Sequence, residues 1–202
     1  GIFNPDLYLE RLERSIIESV PAPVAVIVSF PSNPTAQVVS LEFYEEVVKI
    51  ALKYNVYILS DLAYAEIYYD NSPPPSILQI PKAKEVAVEF TSMSKTYAMA
   101  GWRIGFAVGN IRLINALTRI KSYLDYGAFT PVQVAAAAAL NGPQDCVQEI
   151  RSTYQKRRDV LINSMARAGW NIPSPKASMF AWAPIPDKYK DKGSLEFAKE
   201  LM

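Results

Sequence analysis

The sequence predicts an α/β fold: a mainly parallel sheet with flanking helices, followed by the start of a smaller α+β unit. Three observations predict it. Short apolar runs rich in β-branched residues (Val24–Phe30, Val56–Ser60, Val86–Phe90) alternate with longer stretches of helical apolar spacing. The first two strands are joined through a helix by short loops, the signature of a right-handed parallel crossover. Beyond one long polar helix, the segment Trp170–Ile185 resumes a mixed pattern of its own. The large unit is placed at residues 1–155 and the small one at 156–202.

Taken in order, Asp6–Ser19 reads as an amphipathic helix with Leu9, Leu12, Ile16 and Val20 near one face. Val24–Phe30 (VAVIVSF) fits a strand buried on both faces. After the loop Pro31–Val38, Leu41–Tyr54 is helical, with Ser40 as its N-cap and no capping box, because Phe43 stands three residues on. Val56–Ser60 is a second buried strand. Asp70–Ser76 (DNSPPPS) must be a loop. Val86–Phe90 and Ile104–Val108 are the third and fourth strands. Helices are expected over Arg112–Tyr123, Pro131–Leu140 and Gln144–Ala168. The charged middle of the last, Arg151–Asp159, suits a helix exposed between two bodies, or equally a plain solvated face. Ser178–Trp182 is expected among the first strands of the small unit.

Composition removes several function classes. The net charge is +1, which offers no electrostatic case for nucleic acid or an anionic membrane surface. No apolar run is long enough to span a bilayer, and Asp6, Glu10, Arg11 and Glu13 interrupt any signal-peptide pattern. Cys146 is the only cysteine, so no disulfide forms within the chain, and a cytoplasmic setting is the simplest expectation. Histidine is absent, which excludes a Ser-His-Asp triad, a Cys-His pair and a histidine-ligated metal within this chain. The chain opens at Gly1 and stops at Met202 inside an apparent helix, so a fragment of a longer protein is expected.

In open α/β sheets, ligands bind beyond the carboxyl ends of the strands. Polar residues at those places are Ser32, Asn33 and Thr35 after the first strand, Asp61 and Tyr64 after the second, and Ser92, Ser94 and Lys95 after the third. Arg103 precedes the fourth. An Asp, a Tyr, an Asn, a Lys, an Arg and serines, without His, suit pyridoxal-phosphate (PLP) chemistry. A lysine amine condenses with the cofactor aldehyde. A carboxylate keeps the pyridine nitrogen protonated. A phenol and an amide bond the ring oxygen, and Ser with Arg binds the phosphate.

Ser92-Met93-Ser94-Lys95 followed by Gly101-Trp102-Arg103-Ile104-Gly105 resembles the cofactor-lysine signature of class I PLP-dependent aminotransferases, of fold type I. Asn33-Pro34-Thr35 resembles their Asn-Pro-Thr-Gly loop, and Asp61-Leu62-Ala63-Tyr64 their Asp-x-Ala-Tyr segment. The order and spacing of the blocks agree. The likeness runs on through Lys121-Ser122-Tyr123 and Thr130-Pro131-Val132-Gln133 to Lys176-Ala177-Ser178-Met179-Phe180, and within the class bacterial alanine (glutamate–pyruvate) aminotransferases are most similar in appearance. The resemblance implies a partial large domain of PLP fold type I. It implies that Lys95 holds the cofactor and moves a proton, that Asp61 pairs with the pyridinium, and that Tyr64 bonds the ring oxygen. It makes Asn33 a contact of ring oxygen and substrate carboxylate, and it makes Ser92, Ser94 and Arg103 the phosphate ligands. Amino acid and 2-oxo acid substrates and a homodimer of the full-length protein follow from the same likeness. So does an Asn33–Pro34 peptide in the cis form. Further phosphate contacts, a ring-stacking aromatic, an intersubunit tyrosine and the main carboxylate arginine come, in the family, from outside this segment, so the chain alone is expected to be inactive. Ala36 replaces the usual Gly, from which no requirement for positive φ is expected there.

Single residues here have bland readings. Lys95 alone would be a surface lysine, Asp61 a turn residue, Asn33-Pro34 a plain turn and Arg103 a surface ion-pair partner. Met179, Phe180 and Trp182 are expected mainly as packing, with Ser178 and Phe180 as candidate pocket wall. Ser92-x-x-Lys95 also fits the nucleophile motif of serine β-lactamases, but the later Ser-Asp-Asn and Lys-Thr-Gly segments are lacking. The alternative readings kept beside transamination are a PLP-dependent carbon–sulfur lyase or cyclopropane-forming synthase, a PLP-fold ligand-sensing regulator domain, and an inactive interaction module.

Overall fold

A computed structural model describes residues 3–202. Its centre is a four-stranded sheet in the order β1-β2-β3-β4: β1 Ala25–Ser29, β2 Tyr57–Asp61, β3 Ala87–Ser92 and β4 Gly105–Gly109. The β1–β2 and β2–β3 pairings are parallel and β3–β4 is antiparallel. β4 hugs β3 because Gly105 carries no side chain; a Cβ there would lie 2.5 Å from the Thr91 carbonyl oxygen.

Helix α1 (Pro5–Glu18) starts where the Asn4 side chain accepts the Leu7 amide at 3.0 Å, with Pro5 in the first turn. Helix α2 (Leu41–Tyr54) is capped by Ser40, whose Oγ accepts the Phe43 amide, and it ends at Asn55 in the left-handed conformation. Phe43, Tyr44, Val47, Val48 and Ala51 are its buried face, at the spacing of one helical stripe. With Ile16, Val28, Ile58 and Ile77 they form the core. Each large aliphatic or aromatic side chain so buried contributes about 1.5–3 kcal/mol.

The one-turn helices α3 (Ala83–Val86) and α4 (Met93–Thr96) bracket β3. Helices α5 (Ile111–Leu124), α6 (Thr130–Asn141) and α7 (Asp145–Arg167) follow, and α8 (Gly193–Leu201) closes the chain. Among the described residues, no helix is long and apolar enough to cross a membrane.

Several expectations are corrected. Within this chain β1 is not buried on both faces: Val28 is 1 % exposed but Ile27 72 %, because α1 and α2 cover only one face. β2 likewise alternates between buried and half-buried residues. Ser178–Trp182 forms no strand; its neighbour Ala177 makes only an isolated bridge to Tyr68, and a strand needs a continuous edge to pair with. Trp182 is half exposed rather than packed. Within the charged middle of α7, Arg158 is buried and anchored, since its guanidinium finds acceptors on the Tyr69–Asp70 segment.

Ala36 is a further correction. It adopts φ 55°, the left-handed region, because its amide must reach back to the Ser32 carbonyl at 2.9 Å to close the loop. A Cβ is disfavoured there. Ala36→Gly is therefore expected to raise stability by about 1 kcal/mol, read as a higher urea midpoint at unchanged slope.

Glu89 is a carboxyl buried beneath the sheet at 4 % exposure. Ser76 Oγ donates to it at 2.6 Å, the Ile77 amide at 3.1 Å and Ser60 Oγ at 3.4 Å. It thereby ties the Ser76 capping box and the short 3-10 turn Ile77–Gln79 to β3. Burial raises this carboxyl above its ordinary value, and the hydrogen bonds from Ser76, Ile77 and Ser60 act the other way. The native state then holds the proton more tightly than the unfolded chain. The resulting stability is present at low pH and is lost as pH rises from the unfolded carboxyl value through the folded one. Glu89→Gln is expected to flatten that decline in urea unfolding followed from about pH 4 to about pH 8.

Candidate active site

The carboxyl ends of the parallel strands form one rim. Ser29 ends β1 directly beside Asp61 at the end of β2, and Asp61 pairs in register with Phe90 of β3. Ser29 Oγ donates to Asp61 Oδ2 at 3.3 Å and the Ala63 amide donates to Oδ1 at 3.1 Å. Two donors on two segments thus fix the carboxylate's orientation. Ser29 is not evident as a site residue from sequence alone, where it shows only as a hydroxyl closing an otherwise apolar strand.

The chain then turns, with Ala65 bonded to Leu62 and Ile67 to Tyr64 through the backbone. This brings Tyr64 under the rim at 8 % exposure. Its ring centre lies 5.4 Å from Lys95 Nζ, and Phe180 meets it edge-on at 5.5 Å. Asn33 Nδ2 reaches the Tyr64 hydroxyl at 3.5 Å. Asn33 is presented by a loop that Ser32 organises: Ser32 N–H donates to the Gln37 carbonyl, and Ser32 Oγ accepts the Gln37 amide and bonds Thr35 Oγ1. The Asn33–Pro34 peptide is cis. Burial raises the Tyr64 phenol above its ordinary value, the Asn33 bond lowers it, and the nearby Asp61 carboxylate raises it. Tyr64 is therefore a neutral phenol near neutral pH, able to donate a proton in a hydrogen bond.

Lys95 rides on α4, whose start is capped by Ser92 Oγ accepting the Ser94 amide at 3.2 Å. The helix is one turn long, so Lys95 stands three residues past the end of β3. Arg103, exposed and at φ 48°, donates to the Ala100 carbonyl at 2.9 Å and reaches Ser94 Oγ at 3.4 Å. Lys95 also borders a cleft of about 600 Å³ that Met179, Tyr154 and Glu149 help to line.

The fold thus brings Asn33, Tyr64 and Lys95 into one cluster, with Asp61 on the same strand end and Phe180 behind. It gathers Ser92, Ser94 and Arg103 on a second, adjoining patch. Asp61 is held by β1 and by its own turn rather than by Lys95.

The rim at the ends of the parallel strands, where α/β sheets bind ligands, thus carries a lysine, a carboxylate and a phenol. The family profile described as "Aminotransferase class I and II" matches residues 4–202, and the chain belongs to that family. It is 59 % identical over 195 residues to the "Putative aminotransferase AatC" of Rhizobium meliloti, covering 96 % of this chain and 48 % of the relative. It is 58 % identical over 195 residues to the "Glutamate-pyruvate aminotransferase AlaC" of Escherichia coli, covering 96 % and 47 %. The chain spans about half the length of these relatives. Among solved structures, an aminotransferase from Staphylococcus aureus aligns with TM-score 0.78 at 32 % identity, covering 84 % of this chain and 45 % of that one. The aspartate aminotransferase from Rhizobium meliloti aligns with TM-score 0.75 at 32 % identity, covering 84 % and 42 %.

Proposed function

We propose that the full-length protein is a pyridoxal-phosphate-dependent aminotransferase that moves an amino group between an amino acid, alanine or glutamate, and a 2-oxo acid. The observation that carries this is the cluster of Lys95 over the Tyr64 ring with Asn33 on the Tyr64 hydroxyl, three residues past the fixed Asp61 carboxylate. The Escherichia coli relative is named for glutamate and pyruvate, which supports glutamate as donor and pyruvate, whose amination gives alanine, as acceptor.

The residues present fit the cofactor by their chemistry. When bound, pyridoxal phosphate supplies an aldehyde for an amine and a ring that draws electron density from the substrate Cα. Lys95 would offer the amine for that aldehyde and a base able to carry the proton from the substrate Cα. Asp61, acceptor-only and held by two donors, suits a protonated ring nitrogen. Tyr64 and Asn33 offer an O–H and an N–H to the ring oxygen, and Asn33 also serves the substrate carboxylate. Ser92, Ser94 and Arg103 bind the phosphate, Arg103 through its planar fork.

We infer further a homodimer of the full-length protein, a cytoplasmic setting, and a division at residues 1–155 and 156–202. That boundary lies inside α7, so one continuous helix would join the two units.

The test is to add pyridoxal phosphate to the full-length protein and record its visible spectrum. A band that bleaches on alanine and returns on a 2-oxo acid is the expected result. A band that never forms, or one that alanine leaves unchanged, defeats the assignment.

A further inference from the structure

Helix α7 carries two arginines at i and i+7, two turns apart on one face. Both reach back to the segment that follows Tyr64. Arg151 stacks on the Tyr68 ring at 3.8 Å and donates to the Glu66 carbonyl and carboxylate at 3.1 and 2.9 Å. Arg158 lies over the Tyr69 ring at 4.6 Å and grips both Asp70 oxygens, at 2.7 and 2.9 Å. Its remaining donors meet Asp159 Oδ1 at 2.8 Å and the Pro175 carbonyl at 3.3 Å. Arg158 is 8 % exposed, and a guanidinium is buried at that level only with its donors satisfied. Arg158 in turn holds the Asp70 carboxyl below its usual value.

From Arg158 a continuous set of contacts leads to the site. The Tyr69 hydroxyl donates to the Ser178 carbonyl at 2.5 Å, and the Tyr69 amide to the Lys176 carbonyl at 3.0 Å. The Ser178 amide answers to the Ile67 carbonyl at 2.7 Å. Ala177 and Ser178 are fully buried, and Ser178 Oγ accepts the Phe180 amide at 3.3 Å. Phe180 then meets Tyr64 edge-on, with Lys95 Nζ near the same tyrosine ring. Segment 176–180 is thus pinned between α7 and the turn that carries Tyr64.

We propose that Arg158, together with Asp70, is a positioning residue for Tyr64: by fixing Tyr69 and segment 176–180 it sets, through Phe180, where the Tyr64 phenol stands relative to Lys95 and the cofactor ring. This rests on Tyr64 being a cofactor contact, as proposed above. The bidentate grip on Asp70 and the stack on Tyr69 both use the planar guanidinium, so a lysine at 158 restores the charge but only part of the grip.

The experiment has two arms on the full-length protein. In the first, on cofactor-free protein, Arg158→Gln and Asp70→Asn are expected to speed hydrogen exchange at the Tyr69 and Ser178 amides about tenfold or more, with β2 amides unaffected. In the second, on protein loaded with pyridoxal phosphate, the pH midpoint of the visible band is expected to shift in both variants, with Arg158→Lys recovering part of the shift. Unchanged exchange at Tyr69 and Ser178 overturns the proposal. Faster exchange with a wild-type band midpoint also overturns it, because Arg158 would then only hold the fold. Asp70, with its side chain 61 % exposed, carries the same test should Arg158→Gln fail to fold. A wild-type protein that shows no band defeats the cofactor assignment and, with it, the positioning role, whereas the exchange arm reports on the Arg158 clamp independently.

Discussion

Lys95→Ala is expected to abolish covalent retention of pyridoxal phosphate after borohydride reduction and to lower turnover by at least about 10⁴-fold, since one residue would lose both its roles as cofactor anchor and as base. The expectation follows from placement. Lys95 stands on a single capped helical turn at the rim, with its amine 5.4 Å from the centre of the Tyr64 ring. Removing the side chain deletes one cation–ring contact at a partly buried site, which costs about 0.5–1 kcal/mol, so the fold persists. Mass spectrometry of the reduced protein checks the anchor. An adduct of wild-type yield on Lys95→Ala would place the cofactor lysine elsewhere.

Asp61→Asn is expected to slow proton abstraction from the substrate by about 10²–10³-fold, or about 2.7–4 kcal/mol, the loss typical of deleting one preorganised electrostatic partner. The asparagine fits the same space. Its carbonyl can keep the Ala63 amide, and the Ser29 hydroxyl can rotate to accept from its NH₂. The melting temperature should therefore move little while the chemical step suffers. Single-turnover absorbance after mixing with alanine reads that step alone. A rate equal to wild type would mean that the Asp61 charge does not act on the ring.

These residues are legible in the sequence because the α/β rule assigns ligands to strand ends, and the strand ends show as runs of β-branched residues. Ser40 as a helix cap was equally plain, because capping is a contact between residues three apart. What the pattern missed needed partners distant in sequence. Ser29 is a second support of Asp61 only because β1 and β2 pair in that register. Arg158 looked like one charge in a solvated stretch, yet it is buried because Tyr69 and Asp70 lie under it. The apolar run around Ile27 resembled a strand covered on both faces, but exposure depends on which helices reach it.

By itself, the sequence determined the alternation of strands and helices, the three residue blocks at the rim, and the chemistry those side chains can perform. These depend on local periodicity and on side-chain type. Only the tertiary structure decided that Ala36 takes the left-handed conformation, since closing its loop onto Ser32 outweighs the penalty for a Cβ. The same holds for segment 178–182, which stays irregular because it finds a single bridge to Tyr68 instead of a sheet edge. Burial, hydrogen-bond satisfaction and register are properties of which segments meet, and that is fixed by the packing of the whole chain rather than by any stretch of it.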